Sequence, residues 1–308
     1  MQKQFNTIAE QVALLQRRGV TTDASTPAIL LREGYYAVVN GYGKAFLDRE
    51  ATARADDDRF APGTTFDQIY QLFLFDRELR AVTFRAVMCV EGTLRSLLSH
   101  TFCEHHRSAD AYLRRGCYAQ AGEYLRGSKA HEGDLTWMIN TLEHHARGHV
   151  ADEHDDEVHD SDRVAWYREH YSEVPLWVLF SELTFGNLRY FFALMRRAEQ
   201  KRVCERMREV CGTTHAGQTL TPKGMLHDLE VLSALRNDCA HEERIYDATF
   251  GDDALTYQQV LEVLVAYLAE GDERRLQHAV RELARRYGAK SPAVAAALAS
   301  AGFEVASS

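Results

Sequence analysis

Arg236 and His241 stand five positions apart in the stretch Ala234–Arg244, ALRNDCAHEER, with Asn237 and Asp238 directly after the arginine. An arginine is always protonated, and its planar fork of donors holds a phosphate or a developing oxyanion. A histidine takes or gives a proton near neutral pH. Together they suffice for one reaction without a metal: cleavage of RNA by its own 2′-hydroxyl, the guanidinium facing the charged phosphorane and the imidazole moving the proton. Five positions turn an ideal helix through about 140°, so the two side chains do not share a face, but could border one cleft from either side if the helix ends near His241. The plainer alternative is a helix C-terminus whose cationic groups meet the macrodipole.

Spacing alone is weak. With 14 histidines and 36 lysines and arginines in 308 residues, chance placement yields about one or two such pairs. The chain has Arg95–His100, Arg126–His131 and Arg236–His241, and Arg163–His170 at a longer spacing. Context sorts them. Arg126 adjoins Gly127 and Ser128, a turn signal. Arg163–His170 borders an acidic run. Arg95 and Arg236 each lie near the C-terminal end of a strongly apolar helical pattern. Glu91, one turn before Arg95, is either an ordinary i,i+4 partner or the group that orients the arginine.

Other residue types invite the same double reading. Tyr35, Tyr36, Tyr42 and Lys44 combine rings with a cation, which suits base stacking and phosphate contact. Packing against the neighbouring long helix is the simpler reading. Residues 189–208 hold seven bases, Arg189, Arg196 and Arg197 among them, against Glu199 and Glu205. This is a local basic surface that suits phosphate or ordinary salt bridges. Cys103, His105 and His106 cluster, but lack the second ligand pair of a zinc site. The acidic, histidine-rich stretch His144–Asp162 reads as a solvated loop, and its spacing fits no closed metal site. No metal or other cofactor is expected. Trp177 and Phe185 are expected in the core.

The elements that must position these residues are helical. Apolar residues recur at threes and fours from Phe66 to His100: Ile69, Leu72, Phe73, Leu79, Val82, Val90, Leu94, Leu97 and Leu98. Thr64 or Thr65 supplies an N-cap, with Asp67 in the first turn. Shorter helices are predicted near Phe5–Leu15 and over 135–145, 176–183, 188–197, 226–235, 257–268 and 276–287. A second connection spans Gly212–Gly224. Strand signals are poor, and the 5 prolines favour long helices.

Composition sets the outer bounds. Apolar residues make up 45% and charged residues 26%, which is ordinary for a globular chain with a normal core. The net charge of -9 argues against non-specific coating of nucleic acid. No apolar run approaches the roughly 18 residues of a membrane span, and the first ten residues carry no signal-peptide stretch. The reading is cytoplasmic, with six scattered cysteines as free thiols.

Five stretches carry a likeness: LLREGYYAVVNGYGKAF (Leu30–Phe46), FDQIYQLFLFDRELR (Phe66–Arg80), VEGTLRSLLSH (Val90–His100), PLWVLFSELTFGNL (Pro175–Leu188) and LRNDCAHEERIYD (Leu235–Asp247). In this order they resemble the abortive-infection proteins of the AbiD/AbiF type, within the HEPN superfamily of helical RNA-processing proteins. They bear a more distant similarity to the two-HEPN nucleases of type VI CRISPR systems. HEPN ribonucleases use R-x4-6-H with a polar residue after the arginine. Arg236, Asn237 and His241 have that form; Arg95 and His100 keep the spacing, with Ser96 as a less usual follower. The resemblance implies an all-α fold of HEPN-like helical bundles, with residues 1–150 and 151–308 as two halves of one compact unit, each bringing one motif. It also implies an endoribonuclease of phage defence. In it Arg236 and Arg95 stabilise the transition state and His241 and His100 move protons. Asn237 and Glu91 support them, and the products are 2′,3′-cyclic phosphate ends. Some relatives bind RNA without cutting it, so a protein that holds a structured small RNA stays the alternative. RNA is the expected partner, with a homodimer as a further option.

Overall fold

Thr65, not Thr64, starts the longest element. Its hydroxyl accepts the Gln68 amide while the Gln68 side chain accepts the Thr65 amide, a reciprocal cap. From there α4 (Phe66–His105) runs unbroken for 40 residues, about 60 Å at helical rise. Ile69, Leu72, Phe73, Leu79, Val90, Leu94 and Leu98 are all buried, as the periodicity predicts. The computed structural model describes residues 5–55, 57–148, 161–211 and 220–305.

Before α4 come α1 (Ile8–Arg17), α2 (Thr26–Glu33) and α3 (Arg49–Ala55), with a single π turn at Tyr36–Asn40 between the last two. After it come α5 (Ser128–Arg147), α6 (Asp162–His170), α7 (Leu176–Leu179), α8 (Phe185–Leu194), α9 (Arg197–Cys211) and α10 (Pro222–Ala240). A two-residue antiparallel hairpin, β1 (Thr249–Phe250) and β2 (Leu255–Thr256), leads into α11 (Tyr257–Ala266), α12 (Asp272–Gly288) and α13 (Pro292–Ser300). The described residues are thus mostly helical. Helices α7 to α13 all pack on α4, which buries side chains around most of its circumference. No described helix is long and apolar enough to cross a membrane. The six cysteines are free.

Three helix predictions are corrected by side-chain chemistry that hydropathy does not see. The helix expected over 176–183 stops at Leu179, and Thr184 then caps a new one through a reciprocal bond with Asn187. The one expected over 188–197 breaks after Leu194. Met195 is extended, and the Glu199 carboxylate accepts the Arg196 amide at 2.9 Å to begin α9. Phe5 is not on α1; it precedes the helix and is exposed. The predicted loop His144–Asp162 begins later than expected, since α5 continues to Arg147; residues 149–160 lie outside the described residues, as do 212–219 of the second connection.

Candidate functional site

Arg95 on α4 and Arg236 on α10 are 141 positions apart in the chain and meet at one carboxylate. Glu91 is 1% exposed. Its Oε1 accepts a hydrogen bond from Arg95 Nη2, and its Oε2 stands 3.8 Å from Arg236 Nε. Arg95 also donates to the Leu183 carbonyl at 2.8 Å, and the Arg236 guanidinium lies over the Phe84 ring at 5.9 Å. Both arginines keep about a quarter of their side chains open to solvent (27% and 26%). The Nε of each, and Glu91 Oε2, are buried without a hydrogen bond. Two guanidiniums on one carboxylate leave a net positive charge at a partly open surface. A guanidinium fork of this kind is able to hold an anion in bidentate fashion.

The histidines do not follow. Glu91 faces Arg236, Arg80 Nη1 donates to the Glu243 carbonyl at 3.3 Å, and Asp76 accepts the Ile245 amide at 3.2 Å. The end of α10 therefore advances as α4 is read backwards: the two run antiparallel. Each histidine lies five residues C-terminal to its arginine, so their backbones move off in opposite directions; with Arg236 opposite Glu91 they stand roughly 20 Å apart along the axes. The two arginines thus share one carboxylate, and the backbones of the two histidines lie to either side of it along the helices. His100 is exposed and pairs with Glu104 at 3.1 Å, a carboxylate that Arg206 of α9 also holds at 2.7 Å. His241 terminates α10, its amide bonded to the Asn237 carbonyl at 2.9 Å, and both side chains are exposed.

The turn that follows His241 is held by a network built on Asp76, a residue that carried no assigned role in the sequence. Asp76 is fully buried and accepts from Tyr42 Oη at 2.6 Å, from Arg80, and from the amides of Ile245 and Tyr246. Burial pushes its carboxyl up, against the pull of these donors. Burial also drives the Tyr42 phenol well above its ordinary value. Arg244 donates to the Gly41 carbonyl. Glu242, between this clamp and His241, takes the left-handed conformation at φ 59°, the usual way to leave a helix. The available signal was Asp76 and Arg80 at i,i+4 on the buried stripe of α4, where isolated charges do not belong.

The remaining candidates lie elsewhere. Tyr42 packs inward, as the plainer reading has it, whereas Tyr36 and Lys44 are exposed and border a cleft of about 410 Å³ with Arg18. Tyr35 is half-buried against Arg18. The carboxylate that Tyr42 touches is 19 residues before Arg95, roughly 28 Å along α4. Arg189 faces Glu230 at 3.6 Å, Arg196 donates to the Gly116 carbonyl, and Arg197 opens α9. Part of the basic stretch is thus already engaged by protein groups. Arg126–His131 is structural: Arg126 sits over Tyr190 at 4.4 Å and pairs with Glu230, and buried His131 lies 2.7 Å from the Ala119 carbonyl. His170 stacks on Trp166. Phe185 is buried as expected, but Trp177 is not a core residue: it is 60% exposed. Among the described residues no group of three or more His, Cys, Asp or Glu could hold a metal ion.

A family model described as Abi-like protein matches residues 28–247, a span that includes Asp76, Glu91, Arg95, Arg236 and His241. No curated protein and no solved structure matches the chain. The family model covers more than two thirds of the sequence, and the chain belongs to the Abi-like family, which is associated with abortive-infection defence.

Proposed function

We propose that this Abi-like protein acts on RNA as a HEPN-type, metal-independent endoribonuclease of phage defence, with Arg95 and Arg236 holding the reacting phosphate. One observation carries the reading: two arginines distant in sequence, each heading an R-x4-H pair, share the buried carboxylate of Glu91. Glu91 spaces the guanidiniums, and a phosphate oxygen entering from solvent takes their free donors. Charge that develops on the phosphorane is then stabilised by groups already in place. Asn237 and His241 are exposed on the last turn of α10, one and five residues past Arg236, and His241 moves the proton. His100, five residues past Arg95 on the antiparallel helix, lies on the other side of the cluster from His241. A homodimer in which a second copy brings its imidazole opposite would complete the acid–base pair.

A second reading has its own support. The arginines are already ion-paired and the histidine backbones lie to either side of them, an arrangement that suits a protein which holds a structured small RNA and does not cut. One experiment separates the two. The protein is incubated with labelled RNA in EDTA, and the ends of any products are analysed. Cleavage with 2′,3′-cyclic phosphate ends, abolished in Arg236→Ala and His241→Ala, supports the nuclease. A single co-purifying RNA with no cleavage supports the binder. Undiminished cleavage by both variants removes this site from either account.

A further inference from the structure

Trp177, Arg107 and four inner side chains enclose a cavity that the site above does not use. Its volume is about 210 Å³. For scale, roughly 150 Å³ accommodates a benzene molecule in an apolar protein cavity, so a bicyclic base or a base with part of its ribose is the matching size. Phe102, Tyr112 and Leu176 form its buried walls. Trp177 and Arg107 are exposed at its rim.

One imidazole belongs to the wall. His106 has only 8% of its side chain exposed, and its Nε2 lies 2.7 Å from the carboxylate of Glu199, itself 2% exposed. Its ring packs on Phe102 with centroids 4.5 Å apart. The close approach to this buried carboxylate and the contact with Phe102 hold the ring in the wall. Apolar walls, an orienting imidazole and a rim with an indole and a guanidinium match one ligand chemistry: a flat heteroaromatic ring that carries a phosphate.

The cavity is also placed with respect to Arg95. Phe102 is seven positions further along α4, which returns to within about 20° of the same face and about 10 Å beyond it. The segment from the start of α7 to Leu183 spans the same interval: Leu176 lines the cavity and the Leu183 carbonyl takes the Arg95 guanidinium. Cavity and arginine cluster therefore open along one side of α4.

We infer that the cavity formed by Phe102, His106, Arg107, Tyr112, Leu176 and Trp177 binds a nucleobase, stacked on Trp177 with its phosphate at Arg107, and that its source is an unpaired nucleotide of the strand held at Arg95 and Arg236. The choice of a strand over a free nucleotide rests on the function proposed above; the base-binding cavity does not.

The test reads Trp177 alone, in the Trp137→Phe, Trp166→Phe protein. Its fluorescence is titrated with the four nucleoside monophosphates, and with a short single-stranded RNA. Saturable quenching by the RNA that exceeds that of any monophosphate supports the strand. Equal or stronger quenching by one monophosphate keeps the cavity as a nucleobase site and overturns its assignment to the strand. No saturable quenching by any of these probes overturns the proposal. Both rim residues are exposed and safe to replace, and Trp177→Ala, read by filter binding, is expected to weaken the favoured ligand about tenfold, the loss of one base stack. Arg107→Ala should weaken the phosphate-bearing ligand and leave the free nucleoside unaffected. RNA cleavage by a protein that shows no quenching would remove the cavity and leave the nuclease. Quenching without cleavage would do the reverse.

Discussion

Glu91 is the residue on which two cations depend, and its replacements separate charge from shape. Glu91→Gln keeps the volume and leaves two like-charged guanidiniums side by side. RNA affinity at low salt is expected to hold or rise, with a steeper salt dependence because the cluster gains charge; cleavage is expected to fall at least tenfold as the arginines lose their spacing. Parallel loss of binding and cleavage would contradict this. Glu91→Ala is expected to destabilise the fold by about 3 kcal/mol, measured from the urea midpoint, the lower end for breaking a buried pair, because the arginines retain some water. Arg236→Ala should cost about 10²-fold or more in cleavage rate, the usual loss when one transition-state donor is removed. Arg236→Lys should restore little, since a point charge does not reproduce the fork. The arginines, the histidines and Glu91 were all visible in the sequence as types and spacings. That Glu91 faces both arginines was not, because the second contact crosses from α4 to α10, and no local pattern records the register of two helices far apart in the chain.

At the level of elements, α4 was legible because its capping residues, its i,i+3/i+4 apolar rhythm and its lack of proline all agree. Its neighbours were less so. The α8–α9 break depends on a glutamate reaching back to a backbone amide, and the exposure of Trp177 depends on what does not pack over α7. The junction of α4 with α12 has a pH signature. Burial raises the Glu78 carboxyl, but hydrogen bonds from Tyr287 at 2.6 Å and from Arg286 outweigh it and hold it below the usual carboxylate range. A lowered carboxyl contributes stability above its unfolded pKa of about 4.3, and that contribution disappears as pH falls through the lowered folded value. Glu78→Gln is therefore expected to be less stable than the parent at neutral pH, by under about 1 kcal/mol because the pair is roughly half exposed. The difference should vanish in acid. Thermal melts of both proteins across pH 2–7 would measure it, and a gap that widened in acid would refute the assignment.

Over the whole molecule, a single core wraps α4, with helices from α7 onward seated on a rod that precedes them in the chain. Heat should unfold the protein in one cooperative step by calorimetry; two separated transitions would show that residues 1–150 and 151–308 hold together independently. The separation of the two histidines makes a second whole-molecule prediction. If opposing copies complete each other's site, mixing His100→Ala protein with His241→Ala protein should recover up to about a quarter of the parental cleavage, since half the dimers are mixed and each regains one of two symmetric sites. No recovery would confine the reaction to one chain. The unbroken course of α4 also bears on how such a protein can vary. Asp76 and Glu91 serve different partners from one rigid axle, and inserting or deleting a single residue between them would swing one carboxylate about 100° away from its partners. A change of seven residues, by contrast, would return both carboxylates to within about 20° of their present directions, so this span tolerates changes of length only in whole turns.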